Sequence, residues 1–228
     1  MRNIGVIIKK QIKDTLKNKT VLIQFVMFPV LTLIFEHAVS IPDMPELFFT
    51  KLFSVMYMGM APLTSVAAII SEEKEKNTLR VLMMANVKPW EYLAGIGIYV
   101  WMICMAGAGI MSTSLPAADI PFFLGVLSCG FFISIVIGAC VGIFAPNQMV
   151  STSIVMPVML IFSFAPMLAM FNDKISMAAK FFYTQQIRLL LDNMTFAGIK
   201  PESIAVVAVN SVLAVFLFFV AFKRKGLE

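Results

Sequence analysis

An all-α integral membrane protein with six spanning helices is the architecture this sequence predicts, and three observations predict it. Apolar side chains make up 60% of the 228 residues and charged ones 14%, against roughly 45–50% and about 25% in soluble domains. The apolar residues fall into six runs of about 20, the length an α-helix needs to cross a bilayer. Lys and Arg are shared unequally between the segments joining those runs, as in multi-pass proteins that keep their cations in the cytoplasm. A mean hydropathy of +0.90 excludes a soluble enzyme and a disordered tail. The net charge of +5 is read by position, as membrane orientation, and no nucleic-acid partner is expected. Six spans use about 120 residues, which leaves room for loops and short helices but not for a nucleotide-binding domain.

Residues 1–20 form the first unit, an amphipathic interfacial helix. At 100° per residue Ile4, Ile8, Ile12 and Leu16 share a face with Gly5, Gln11 and Thr15. Arg2, Lys9, Lys10, Lys13 and Lys17 share the opposite one, with Val6 out of place. Such a helix lies flat on the lipid, its cations toward anionic headgroups. Residues 21–228 form the six-span unit. The first span covers residues 21–40 and contains Pro29; a turn with Pro42 and Pro45 follows. A cleavable signal would share the basic start, the apolar run and the small residues Ala38 and Ser40. The long amphipathic leader and the Glu36-His37 pair point instead to a retained span.

The second span covers residues 52–70, the third 92–113, the fourth 120–145, the fifth 149–170 and the sixth 202–222. Pro116 and the Pro146-Asn147-Gln148 break separate neighbours, and Lys223-Arg224-Lys225 stops the last. With both termini inside, 13 cations face the cytoplasm and five face out, which accounts for all 18. Residues 171–201 are too polar for a lipid-facing span and too apolar for a plain loop. They predict one or two short helices in the outer interface or dipping into it.

Cys104, Cys129 and Cys140 lie inside apolar runs as packing residues, and with His37 the only histidine no metal site is expected. Glu36 and His37 are assigned to the solvated outer interface. Gln24, Asn210 and Ser211 are assigned to bonds between helices, and Gly130, Gly138 and Gly142 to close helix packing. The many Met and Phe side chains suit lipid contact, or an adaptable site for a hydrophobic ligand.

Residues 72–91 break the apolar pattern. Glu72, Glu73, Lys74, Glu75 and Lys76 begin in water, and Leu79, Leu82, Met83 and Val87 then recur at helical spacing. Pro89 ends that helix, and Trp90 and Tyr92 suit the membrane interface. An apolar stripe on a short cytoplasmic helix needs something to dock against, and a second protein is the expected occupant.

The amphipathic leader, the six spans and this loop, with its charged cluster, Thr78-Leu79, Leu82, Pro89, Glu91 and Gly95, resemble the permease subunit of a type-2 ATP-binding-cassette (ABC) exporter. Asn77 stands where that family usually has Gly, and Ile96 where it usually has Lys. Asn tolerates left-handed backbone, so the first departure is mild. The resemblance implies a dimer with a second copy or a paralogue. It also implies a separate ATPase that binds ATP and Mg, so this chain carries no cofactor and is not itself an enzyme. Residues 72–91 would be the coupling helix, contacting the ATPase through Glu72, Glu73, Lys74, Glu75, Asn77, Thr78, Leu79, Leu82, Met83, Val87 and Pro89. Residues 171–201 would be outer re-entrant helices. Phe25, Phe28, Met156 and Phe162 would line the pathway or dimer centre by the same analogy. Compact size and small outer loops resemble permeases that export small hydrophobic or amphipathic substrates across a bacterial plasma membrane. The cargo would be a peptide such as a bacteriocin or cytolytic toxin, or a drug, with a role in immunity or resistance. The chain has no GxxxxGK[ST] phosphate loop, so ATP hydrolysis needs a partner. A self-contained channel or secondary transporter is the alternative. It would show paired charges or broken helices near mid-membrane and an internal repeat; no mid-span charge and no convincing repeat is evident.

Overall fold

The computed structural model describes the backbone of residues 2–17, 19–39, 44–194 and 199–225, and for residues 2, 16, 17 and 19–21 the backbone alone. The described residues are helical and contain no strand: α1 (Arg2–Lys17), α2 (Lys19–Ala38), α3 (Phe48–Glu75), α4 (Thr78–Met84), α5 (Pro89–Met111), α6 (Ile120–Phe144), α7 (Gln148–Leu168), α8 (Asp173–Ala179), α9 (Tyr183–Asn193) and α10 (Pro201–Lys225). Each break carries a chemical cause. Pro89 and Pro121 occupy the first turns of α5 and α6, where no backbone N–H is needed. Asn147 caps α7 by accepting from Val150 N at 2.9 Å, and Asn172 caps α8 by accepting from Lys174 N at 3.0 Å.

Five helices (α3, α5, α6, α7 and α10) are long and apolar enough to cross a membrane, so the chain is an all-α multi-pass membrane protein by length and composition. Six spans were expected; the remaining apolar helix, α2, has 20 residues, and its described side chains form an apolar stretch over Leu22–Ala38. It runs antiparallel along α3. Gln24 donates to Ala61 O at 3.3 Å, the Phe28 and Tyr57 rings meet at 6.1 Å, and Glu36 accepts from Thr50 N at 2.8 Å. Glu36 thereby places a carboxylate on the positive first turn of α3, so this residue is a cap as well as an interface charge.

The centre of the molecule is α3, with α2, α5, α6, α7 and α9 packed around it. Its 28 residues extend about 42 Å, so the final turns outrun an apolar slab. The closest neighbour is α6, which presents Gly130, Ser134, Gly138 and Gly142 every fourth residue. A Cβ on Gly138 would run into the Leu63 carbonyl oxygen and lie 3.0 Å from Leu63 Cα, and one on Gly142 would lie 2.8 Å from Ile70 Cβ. Small residues let two backbones touch, and dispersion replaces the hydrophobic effect that lipid cannot supply. Ser134 adds a bond, donating to Met58 O at 2.7 Å.

The segment at residues 171–201 divides in two. Helix α8 is largely exposed, with Ala179 buried and Ile175 and Ser176 half-buried, whereas α9 enters the bundle with Tyr183, Thr184, Gln185, Ile187 and Leu191 buried. The Tyr183 and Ser134 hydroxyls are 2.7 Å apart, and Ser134 is the fifteenth of the 25 residues of α6. Gln186 accepts from Ser203 at 2.8 Å, tying α9 to α10. Asn210 on α10 donates to Phe181 O at 3.0 Å, while Ser211 bonds only to its own helix at Val207 O.

Helices α3, α6 and α10 finish at one end of the bundle, where Lys74, Phe144 and Lys225 surround a common cavity. The first turns of α5 and the whole of α1 lie at the same end. The cations of α1, of the α3–α5 connection and of the last turn of α10 therefore collect together.

Candidate functional site

The connection between α3 and α5 is short and tightly bonded. Two residues, Lys76 and Asn77, join α3 to α4, and Asn77 takes a left-handed conformation (φ 57°). Asn is among the few residues besides Gly that enter this region readily, so Asn77 makes this turn at little steric cost. Thr78 Oγ1 donates back to Glu73 O at 3.1 Å. The far end closes the same way. Asn86 is left-handed (φ 65°), its N–H donates to Met83 O at 3.1 Å and the Val87 N–H donates to Leu82 O at 3.2 Å. This pair of bonds is the Schellman closure. Seven residues alone would not hold a helix in water; two asparagine turns and an anchor in the core hold this one.

That anchor is Leu79, 1% exposed, with Leu82, Met83 and Val87 half-buried against the same core. The apolar stripe read from the sequence is thus directed inward, onto this chain. Periodicity identifies a face to be buried but not what buries it. The outward face consists of Arg80, Val81 and Met84, with Val81 58% and Met84 73% exposed. Neither apolar residue was among the expected contacts. Val87 also lies past the helix, in the closing turn.

The acidic members of the loop have internal work. Glu73 is buried; its Oε1 accepts from Gln11 Nε2 at 2.7 Å and pairs with Lys10 Nζ. The buried Tyr92 lies beside the same carboxylate. Glu91 is buried too and accepts from Asn3 Nδ2 at 2.9 Å and from Lys88 N at 3.1 Å. Glu75 accepts from Gln148 N at 2.9 Å at the start of α7, and Lys74 donates to Ile143 O at 2.8 Å at the end of α6. Glu72 is bound to Lys76, the first residue of the turn that follows its helix. Of the expected contact residues, Asn77 is exposed, Thr78 and Pro89 half-buried, and Glu73 and Leu79 out of reach of a partner.

The same bonds reorient α1. Its inward face is Ile7, Gln11 and Thr15, with Thr15 bonded to the Tyr99 hydroxyl and Ile7 against Gly95. Ile12, expected on the lipid-facing side, is 43% exposed. The two polar residues turn inward because Glu73 and Tyr99 provide partners there, and Ile12 is left for lipid. Lys9 and Lys13 are exposed as expected, Lys10 is half-buried on Glu73, and the Lys17 side chain lies outside the described residues.

Phe25 and Phe28 are buried, Phe28 against Phe53 and Tyr57, and the Phe162 ring meets Phe182 edge-on and lies tilted against Tyr183. Met156 is half-exposed on α7. No protein-family model matches the chain, and no curated protein matches it either.

Proposed function

We propose that this chain is the membrane-spanning subunit of an ABC exporter, and that a separate ATPase docks on the outward face of α4. The observation that carries this reading is a seven-residue helix, closed at both ends by left-handed asparagines, that presents Val81 and Met84 to solvent. Exposed apolar side chains on a rigid, cation-flanked helix suit a groove on another protein. In this reading α2 is a sixth span, both termini and α4 are cytoplasmic, and the membrane is the bacterial plasma membrane. A second copy or a paralogue completes the pathway.

The bonding around α4 is suited to transmitting force. A push on Val81 and Met84 passes through Leu79 into the core and through the two-residue turn into α3. Glu73 carries α1 along, and Glu75 and Lys74 engage α7 and α6. The glycine contacts leave no slack between α3 and α6, so displacement at α4 reaches the depth where Tyr183 meets Ser134. Helices α8 and α9 form the outer cap of a route for a small hydrophobic or amphipathic solute, a peptide or a drug. ATP and Mg bind on the partner, and no chemistry is assigned to this chain.

The test is purification from the native membrane. The wild-type chain is expected to bring with it an ATPase activity that the double variant Val81→Asp/Met84→Asp lacks, while both elute as the same monodisperse species. Equal ATPase activity in both preparations, or none in either, would contradict the reading.

A further inference from the structure

An open cavity of about 670 Å³ lies beside α4, where α3, α6 and α10 end. Among the described residues its charged lining consists of Lys74, Arg80 and Lys225, with no carboxylate. No described residue forms an ion pair with any of the three. Glu72 and Glu75, the nearest acids in sequence, are committed to Lys76 and to Gln148 N. Two further cations, Lys223 and Arg224, are exposed on the same last turn of α10. Three cations around one hollow repel one another, and an anion placed between them relieves that repulsion. The remaining wall is apolar, with Met83, Phe144 and Pro146 among its residues. Phe144 ends α6 and Lys225 ends α10, two of the most apolar helices in the chain. The cavity therefore sits where apolar spans give way to water, at the depth of lipid headgroups.

We propose that this cavity binds the phosphate headgroup of an anionic phospholipid, with its acyl chains running along the apolar surface of α6 and α10. A basic hollow between spans with an apolar wall fits a molecule that is anionic at one end and hydrocarbon at the other. Inorganic phosphate would match the cations and leave the apolar wall unused. The proposal rests on the membrane-spanning character of the helices and not on the transport reading. A lipid seated here touches Arg80 and Met83, so its presence braces α4 from one side.

The experiment uses the full chain in detergent, incubated with equal amounts of phosphatidylglycerol and phosphatidylcholine, and native mass spectrometry counts the lipid retained. The wild type is expected to retain one phosphatidylglycerol in preference to phosphatidylcholine. Arg80→Gln/Lys225→Gln, which changes exposed side chains only, is expected to bind it about thirtyfold more weakly. Lys9→Gln/Lys13→Gln removes two exposed cations from α1 and is expected to retain it as the wild type does. Equal retention of the two lipids by the wild type would overturn the proposal, as would no loss in the cavity variant. So would an equal loss in the α1 variant, which would mark a general surface charge effect. Competition by millimolar inorganic phosphate as effective as that by the lipid would reassign the cavity to a free anion and overturn the lipid assignment. The ATPase copurification does not enter any of these outcomes.

Discussion

Gly138→Val is expected to yield almost no folded protein in a detergent extract, while Gly125→Val on the same helix yields nearly as much as the wild type. The difference lies in what each new side chain meets. A Cβ at position 138 would strike the Leu63 carbonyl oxygen, part of the α3 backbone, whereas one at position 125 has nothing within 4 Å. A flexible side chain can rotate away from a clash; a helix backbone must move as a whole. Overpacking of this kind costs about 1–3 kcal/mol where side chains can adjust and more where they cannot. Separating α3 from α6 would also break the bond from Ser134 to Met58 O and open the seat of Tyr183. Size-exclusion profiles and melting temperatures of the two variants decide the matter. Similar profiles for Gly138→Val and the wild type would mean that α3 and α6 are not in backbone contact.

Glu73→Ala is expected to release α1 from the bundle. The carboxylate is buried and holds both Lys10 and Gln11, and without it Gln11 is left buried with no acceptor. Breaking such a set costs about 3 kcal/mol, equivalent to a hundredfold or more in the opening equilibrium. Amide hydrogen exchange in α1 should accelerate by about that factor, whereas Glu73→Gln keeps an acceptor and should show a smaller change. The first turns of α6, at the opposite end of the bundle, should exchange at the wild-type rate in both. Unaltered exchange in α1 of Glu73→Ala would show that the helix is held by its apolar contacts alone.

The helices themselves were legible in the sequence because apolar runs of membrane length end at residues with specific backbone chemistry. Pro89, Pro116 and Asn147 all mark real boundaries. The glycine spacing on α6 was legible for a similar reason, since only close approach explains small residues every fourth position in a span. What the sequence did not disclose is where each helical face points. Gln11 and Thr15 look like the weak edge of an apolar face until Glu73 and Tyr99, more than 60 residues later, provide their partners. Leu79 and Leu82 repeat at helical spacing whether they face this chain or another. The residues that remained for a partner, Val81 and Met84, lie off the stripe and so carry no periodic signal.

The account depends above all on α4 facing the cytosol and meeting an ATP-hydrolysing protein. A photoreactive amino acid placed at Met84 in living cells tests this most directly, with the same group at Phe171, exposed at the opposite end, as the comparison. The account predicts that the Met84 probe forms one dominant crosslink to a protein carrying a GxxxxGK[ST] phosphate loop and that the Phe171 probe forms none to it. A Met84 probe that crosslinks only to lipid, or a cysteine there that reacts with a membrane-impermeant reagent from outside intact cells, would contradict it.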